Sequence, residues 1–332
     1  MLSKIVQLKE KYKEHLTILA HHYQAKEIVQ LADFVGDSLE LARIIPSLHS
    51  KYIIFAGVHF MAETTAVLAR PNQHVFLPTP HASCVMANTA PSHLVEKILS
   101  ELNQYQRVIP LAYVNSSAKV KAICAKYKGS VCTSANASQM LLWALSQGDA
   151  VLFLPDKNLG FNTAIKIGLT PKEISILKLN QKINIKNKKL ILWPGLCAVH
   201  FKFKIDHIQK AKRKHPQAKI IVHPECSPEV VTTSDASGST SFIINYVKSA
   251  PAKDIIYVGT EENLVKRLHD HYKPKKTILS LFPSYCSNMA KINLENLLTT
   301  LQNLETISPI TLSNEICSMA QQTIQTMLKV CS

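Results

Sequence analysis

The sequence predicts an α/β protein made of three homologous small units, each built on a parallel sheet, with their functional edges turned toward one centre. Three observations lead there. One layout of strands, turns and helical stretches recurs three times along the 332 residues. Its internal spacings agree between the first and third copies. Strands alternate with helical stretches throughout, which is the pattern of a parallel sheet with right-handed crossovers.

Each copy opens on a short apolar, β-branched run, passes through a polar quartet and continues with helical periodicity. The three openings are LTILAHHYQAKEIVQLAD (16–33), VIPLAYVNSSAKVKAIC (108–124) and AKIIVHPECSPEVVTTSD (218–235). A Ser/Thr-bearing turn that starts a second helical stretch comes next, in GDSLELAR (36–43), TSANASQMLLWAL (133–145) and GSTSFIINYV (238–247). A strand closing on a turn follows, in YIIFAGVHFMAE (52–63), AVLFLPDKNLG (150–160) and DIIYVGTEENL (254–264). Each copy ends on a strand that runs into a turn with a cysteine: HVFLPTPHASC (74–84), LILWPGLC (190–197) and TILSLFPSYC (277–286).

The register is shared. His21 and Ser38 stand 17 residues apart, as do His223 and Thr240; His21 to Cys84 and His223 to Cys286 are both 63. The middle copy is stretched, with Tyr113 to Cys197 spanning 84 residues, and a Lys/Asn-rich insert at 172–189 accounts for most of the excess. Each unit is expected to hold about four strands. The units are placed at 1–105, 106–216 and 217–290, with a helical tail at 291–332 packing across them. In such sheets ligands bind beyond the carboxyl ends of the strands, where every landmark above lies.

Composition narrows the function. Nine glycines and the absence of GxGxxG or GxxxxGK[ST] weigh against a dinucleotide fold or a P-loop. No apolar run approaches the roughly 20 residues of a membrane helix, and MLSKIVQLKEKYKEHL reads as a surface helix, not a signal peptide. The cytoplasm is therefore expected. Eight cysteines in such a chain argue for free thiols, metal ligands or catalysis rather than a disulfide framework. The net charge of +15 comes from dispersed lysines, with clusters at 182–189 and 204–216. A solvated surface accounts for them, with attraction of small anions as a lesser option. No nucleic-acid motif accompanies the charge.

Cys84, Cys197 and Cys286 occupy one place in three repeats, so three thiols are expected to converge as metal or cluster ligands. No CxxC pair exists. Three protein ligands leave one position open, which suits a catalytic zinc or a [4Fe–4S] cluster with one free iron. The soft donor set favours iron–sulfur, with zinc remaining open. A non-catalytic metal protein would need a fourth ligand, for which Cys132 and Cys226 are the candidates. Cys124, Cys317 and Cys331 are read as core or incidental. Ser38, Ser134, Ser239 and Thr240 sit at expected helix starts, where free N–H groups favour phosphate or carboxylate, plain N-capping being the alternative. His21, Tyr23, Tyr113, Asn115, His223 and Glu225 follow strands and are placed to bind substrate or transfer protons. His200 follows Cys197 without a counterpart in the other copies.

The chain closely resembles the quinolinate synthase (NadA) family. The resemblance is carried by AHHYQ, ADFVGDSLELA, GVHFMAET, YVNSSAKVKA, CTSANA, FLPDKNLG, WPGLCAVH, VHPEC, GSTS, GTEENLVKRL and CSNMAKINLENL, in order from about residue 18 to 300. It implies three homologous domains around a pseudo-threefold axis, with the active site at the centre. It implies one [4Fe–4S] cluster per chain on Cys84, Cys197 and Cys286, with one open iron acting as Lewis acid. The implied reaction condenses iminoaspartate with dihydroxyacetone phosphate to quinolinate, with loss of phosphate and two waters, in de novo NAD biosynthesis. Substrate-site positions implied by the resemblance are His21, Tyr23, Ser38, Met61, Tyr113, Asn115, Ser134, His200, His223, Glu225, Ser239 and Thr240. Glu225 and Tyr23 are the implied acid/base groups, with His21 and His200 beside them. The segment LFPSYCSNM lacks the extra cysteines that some members carry before the third ligand. The implied supplier of the unstable iminoaspartate is L-aspartate oxidase or an aspartate dehydrogenase.

Overall fold

The computed structural model describes residues 1–179 and 187–331. Most of the lysine cluster at 182–189 lies outside the described residues. The described residues form three parallel sheets in sequence. The first holds β1 (Leu16–His21), β2 (Phe34–Gly36), β3 (Tyr52–Ala56) and β4 (His74–Phe76), in the order β2-β1-β3-β4. The second holds β5 (Val108–Tyr113), β6 (Ser130–Cys132), β7 (Ala150–Leu154), β8 (Ile174–Ile176) and β9 (Leu190–Leu192), in the order β6-β5-β7-β9-β8. The third holds β10 (Lys219–Val222), β11 (Ala236–Ser237), β12 (Ile255–Gly259) and β13 (Thr277–Ser280), in the order β11-β10-β12-β13. All neighbouring strands run parallel, and the three units repeat one strand order with a single addition. The middle sheet departs from four strands because the insert contributes β8, whose Ile174 pairs with Leu190 on β9. The helix after its first strand, Ala118–Lys126, is also longer than its counterparts Lys26–Val29 and Pro228–Thr233.

The strands are nearly continuous apolar runs because helices cover both faces of each sheet. The period of two sorts their residues between two cores. On β1 and β3, Leu16, Ile18, Ala20, Tyr52, Ile54 and Ala56 share one cluster with Ile5, Leu297 and Leu301, so the helices Leu2–Tyr12 and Leu294–Gln302 close that face. Leu19, Ile53 and Phe55 face the other way, into a core shared with the second unit. In the third unit Ile220 and Val222 face one cluster and Ile221 faces the other. The last helix, Asn314–Val330, buries Ala320, Ile324 and Met327 in the core shared by the first and second units. Among the described residues no helix is long and apolar enough to cross a membrane.

Candidate active site where three sheets meet

A cavity of about 170 Å³ lies beyond the carboxyl ends of the strands, and all three units line it. Cys84, Cys197 and Cys286 open onto it from the turns after β4, β9 and β13. The thiols are free and half-buried. Burial pushes the Cys84 thiol up to about 12 and also raises Cys197 and Cys286, and each feels the charge of another of the set or of Glu225. Bare thiols in such a place stay protonated, whereas a bound cation would favour the thiolates.

Buried carboxylates hold two of these turns. The Cys197 N–H donates to Asp156 Oδ2 at 3.1 Å, and the Cys286 N–H donates to Glu261 Oε1 at 3.3 Å. Asp156 and Glu261 each sit two residues past the third strand of their sheet. Burial pushes both carboxyls up, Glu261 to about 7. Gly195 shapes the turn before Cys197. It bridges to Asp156 as an isolated β-bridge, and a Cβ there would stand 2.3 Å from Thr89 Oγ1 and 2.5 Å from the Pro155 carbonyl. Only glycine permits this approach.

Three soft donors on one cavity fit a metal or cluster site that keeps a position open. Among the described residues no fourth cysteine lines the cavity. Cys132 and Cys226 are fully buried, and Cys226 Sγ faces the Gly259 carbonyl instead. Cys197, His200 and Glu225 also bring donor atoms within 4.8 Å of one another. His200 Nδ1 and Glu225 Oε2 already satisfy each other at 2.8 Å, as a hydrogen-bonded pair.

The first and third polar quartets fold alike. After β1 the Tyr23 N–H donates to His21 Nδ1 at 3.1 Å, and after β10 the Glu225 N–H donates to His223 Nδ1 at 3.3 Å. Each imidazole therefore carries its proton on Nε2. Burial lowers both to about 3, helped at His21 by His22 and at His223 by His200. Both line the cavity as neutral donors. Burial would raise the Glu225 carboxyl, but His223, His200 and Tyr113 together hold it below the usual carboxylate range. Tyr23 and Tyr113 are pushed well above the ordinary phenol range, by burial first and by the Glu225 charge second.

The remaining expected residues divide. Ser38, Met61, Tyr113, Asn115, Ser134 and Thr240 line the cavity. Asn115 Oδ1 is buried there with no partner, an acceptor aimed at a ligand. Ser239 does not line it. Its hydroxyl caps the helix Thr240–Ser249 by accepting the Phe242 N–H, the plain capping role. At the helix Ser38–Ile44 the free N–H groups expected for an anion are partly spent, because the side chain of Asp37 accepts from Leu39 and Glu40 in a capping box. His200 has no face on the cavity. It is 1% exposed and stands behind the wall, stacked on His223 at 4.4 Å and bonded to Glu225 and Thr260.

Sequence reasoning missed Asp37, Asp156, Thr260 and Glu261, and also Lys202, which lines the cavity. The acidic pair carried one usable signal, since Asp156 and Glu261 fall at matching places after the third strand of their copies.

Comparisons with known proteins show the family. The family model described as "Quinolinate synthetase A protein" matches residues 3–329. A quinolinate synthase of Bacillus pumilus is 42% identical over 93% of this chain and 86% of its own. One from Geobacillus sp. is 42% identical over 97% and 91%, and one from Bacillus cereus 40% identical over 99% and 93%. Among solved structures, an E-1-hydroxy-2-methyl-but-2-enyl-4-diphosphate reductase from Plasmodium falciparum aligns over 92% of this chain and 94% of its own, at 14% identity and a TM-score of 0.32. A likeness at that level carries no argument.

Proposed function

The chain belongs to the quinolinate synthetase A protein family and is an enzyme of the quinolinate synthase type; from that premise we propose that it condenses iminoaspartate with dihydroxyacetone phosphate to quinolinate, releasing phosphate and two waters, for de novo NAD biosynthesis. The observation that carries this reading is the convergence of Cys84, Cys197 and Cys286 with the quartet residues His21, Tyr23, Asn115, His223 and Glu225 on one cavity. The units 1–105, 106–216 and 217–290, with the tail 291–332, are read as the repeats that bring them together.

Cys84, Cys197 and Cys286 would hold one [4Fe–4S] cluster. When bound, that cluster supplies a Lewis acid at its open iron. The chain's own groups supply the rest. The Nε2–H groups of His21 and His223 donate to anionic oxygens without carrying charge. The hydroxyls of Ser38 and Ser134 and the Nδ2–H groups of Asn115 complete the cradle for carboxylates and phosphate, the Asn115 Oδ1 accepts from a substrate N–H or O–H, and Thr240 spends its proton on Tyr23 Oη. Met61 and its apolar neighbours keep water from the reacting atoms. Tyr23 stays protonated and serves as the acid, while ionised Glu225 serves as the base. His200 acts through Glu225 rather than on substrate.

Iminoaspartate hydrolyses readily, so a cytoplasmic supplier such as L-aspartate oxidase is expected to work alongside this enzyme. Loss of coupled flux on diluting the two proteins apart would support a physical complex. The test of the main reading is anaerobic purification followed by metal analysis and a quinolinate assay. About four iron and four sulfide per chain, with quinolinate formed from both substrates, is the expected result. Zinc, or no metal after reconstitution, would overturn the cluster. No quinolinate from a loaded protein would overturn the reaction.

A further inference from the structure

Three strands end on a polar corner beside the cavity, and one of the three corners is held differently. After β1 and after β10 a histidine clamps the backbone by accepting the N–H two residues on. β5 ends instead on Tyr113, whose hydroxyl faces Glu225 and Ser134, so this corner has no imidazole to fold around. It nevertheless carries Asn115, whose Oδ1 is buried at the cavity without a protein partner, so that its direction is set by the backbone of the corner. On one side that backbone is anchored by the Val114 N–H, which donates to the Cys132 carbonyl at 2.8 Å. On the other side two charged side chains hold it from behind. Lys121, on the helix Ala118–Lys126, is fully buried, and its ammonium donates to the Ser116 carbonyl. Glu63, on the helix His59–Leu68 of the first unit, accepts the Ala118 N–H through Oε2 at 2.9 Å. Neither of these charged groups lines the cavity itself.

We propose that Lys121 is a positioning residue of the reaction, the group that stands in for the missing histidine clamp and fixes Asn115 toward substrate. The proposal rests on the reading of the cavity as a quinolinate synthase site. A buried ammonium is costly, and an apolar side chain of the same length would fill the space more cheaply. What the ammonium gains here is the Ser116 carbonyl, the charge of Glu63 and the ring of Phe60, whose centroid lies 5.7 Å away. Burial lowers Lys121 to about 8 against the opposing pull of Glu63 and Cys124, so it remains a donor at neutral pH. With Val114 anchored before it and Ser116 gripped after it, Asn115 Oδ1 waits at one place for the substrate N–H or O–H it accepts. The corner then does not have to be ordered at the moment of binding. Glu63 comes from the helix that also bears Phe60 and Met61, so the same pair ties the corner of the second unit to the first unit's wall of the cavity. A lysine suits the task because its ammonium is a compact point charge that can serve one carbonyl, whereas the planar fork of arginine is matched to two acceptors.

The test is a double-mutant cycle on kcat/KM with Lys121→Met, Asn115→Ala and the two together, all loaded anaerobically and checked for iron content and thermal midpoint. Lys121→Met keeps the length of the side chain and removes the donor. It is expected to lower kcat/KM by about 10-fold or more, and Asn115→Ala by about 100-fold, the scale of a misplaced and of a missing substrate contact. In the Asn115→Ala background Lys121→Met is expected to lower it by less than about threefold further, since nothing is left to position. A lysine that only props up the fold would lower it by the same factor in both backgrounds, and that result overturns the proposal. So does Lys121→Met with kcat/KM within about threefold of wild type. Should Lys121→Met fail to fold because Glu63 is left as an unpaired buried charge, Lys121→Met/Glu63→Gln removes both charges, and the new amide oxygen still accepts the Ala118 N–H. The cycle is then run with that pair, and a pair that also fails to fold makes the lysine a prop of the fold and overturns the proposal as well. Wild type that forms no quinolinate overturns the functional reading instead, so the two failures are distinct.

Discussion

The corner after β1 and the corner after β10 are the same backbone device carrying opposite chemistry. In both, a histidine ends the strand and accepts the N–H of the residue two positions on, at 3.1 Å and 3.3 Å. In both the imidazole is neutral, buried and turned to the cavity. The residue that donates this N–H is a phenol in HHYQ, Tyr23, and a carboxylate in HPEC, Glu225. One is held protonated and the other ionised. The shared backbone fixes where a side chain begins, and the difference at a single position sets a protonated phenol against an ionised carboxylate. Separated environments that push two pKa values apart are how acid and base roles are assigned at neutral pH.

Removing the difference between the corners has the largest expected effect. Glu225→Gln keeps the shape and discards the charge, and is expected to lower kcat by about 10³-fold or more. Tyr23→Phe discards the proton and is expected to lower it by about 10²-fold or more. Steady-state quinolinate formation, with iron content unchanged in both, is the measurement. Full turnover in either variant would break the comparison, since the two corners would then differ in sequence without differing in role.

The turn at Gly195 lies outside both corners and sharpens the contrast between scaffold and chemistry. In Gly195→Ala the new methyl meets the Pro155 carbonyl at 2.5 Å, and a backbone atom cannot swing away. A loss of about 1–3 kcal/mol is expected, the usual cost of overpacking, with weaker iron retention because Cys197 follows two residues later. Urea unfolding and iron analysis read the two effects. Unchanged stability would mean that this turn adjusts freely.

The likeness of the corners is tested by acid. In the unfolded chain both imidazoles titrate near 6.5, whereas in the fold they remain neutral down to about 3. Between those values the unfolded state binds more protons, so the stability contribution is fully present above 6.5 and is lost as pH falls. The slope is about 1.4 kcal/mol per pH unit for each histidine. Urea midpoints at pH 7, 6 and 5 are expected to fall accordingly, and His21→Gln and His223→Gln are each expected to flatten the slope by about one proton. Unequal flattening would show that the corners are alike in geometry only.

What the sequence made legible follows from what repeats. The three sheets, the cysteine positions and the two histidine corners recur at fixed intervals, and periodicity in apolar residues is a strong signal. The residues it hid act once, across units. Thr260 meets Tyr23 and His200 from far along the chain, and nothing in GTEENL marks a threonine after a strand as a bridge. Asp37 takes the capping role for which the neighbouring Ser38 is an equally good residue type, because cap assignment turns on one residue of backbone geometry. The short edge strand β8 is hidden because three residues paired on one side carry no period of their own. His200 follows Cys197 in sequence, yet its partners Glu225 and Thr260 come from the third unit, so its distance from the cavity could not be read from spacing.

The fourth residues of the two quartets give the smallest expected effect and the sharpest check on the ligand set. Gln24 Nε2 donates to the Met289 carbonyl at 3.2 Å, whereas Cys226 Sγ faces the Gly259 carbonyl at 3.9 Å. Both side chains are essentially fully buried. Gln24→Ala removes a buried hydrogen bond, but the Met289 carbonyl keeps the Ile292 N–H and the unpartnered Gln24 Oε1 goes too, so a loss of about 1 kcal/mol is expected. Cys226→Ser exchanges a weak donor for a stronger one beside the same carbonyl, so the polar gain offsets much of the apolar loss, and a change within about 1 kcal/mol is expected. Iron and sulfide in Cys226→Ser are expected to equal wild type, while Cys197→Ser loses them. A cluster lost with Cys226 would mean that the HPEC corner supplies a fourth ligand, and the two corners would then differ in structure as well as in chemistry.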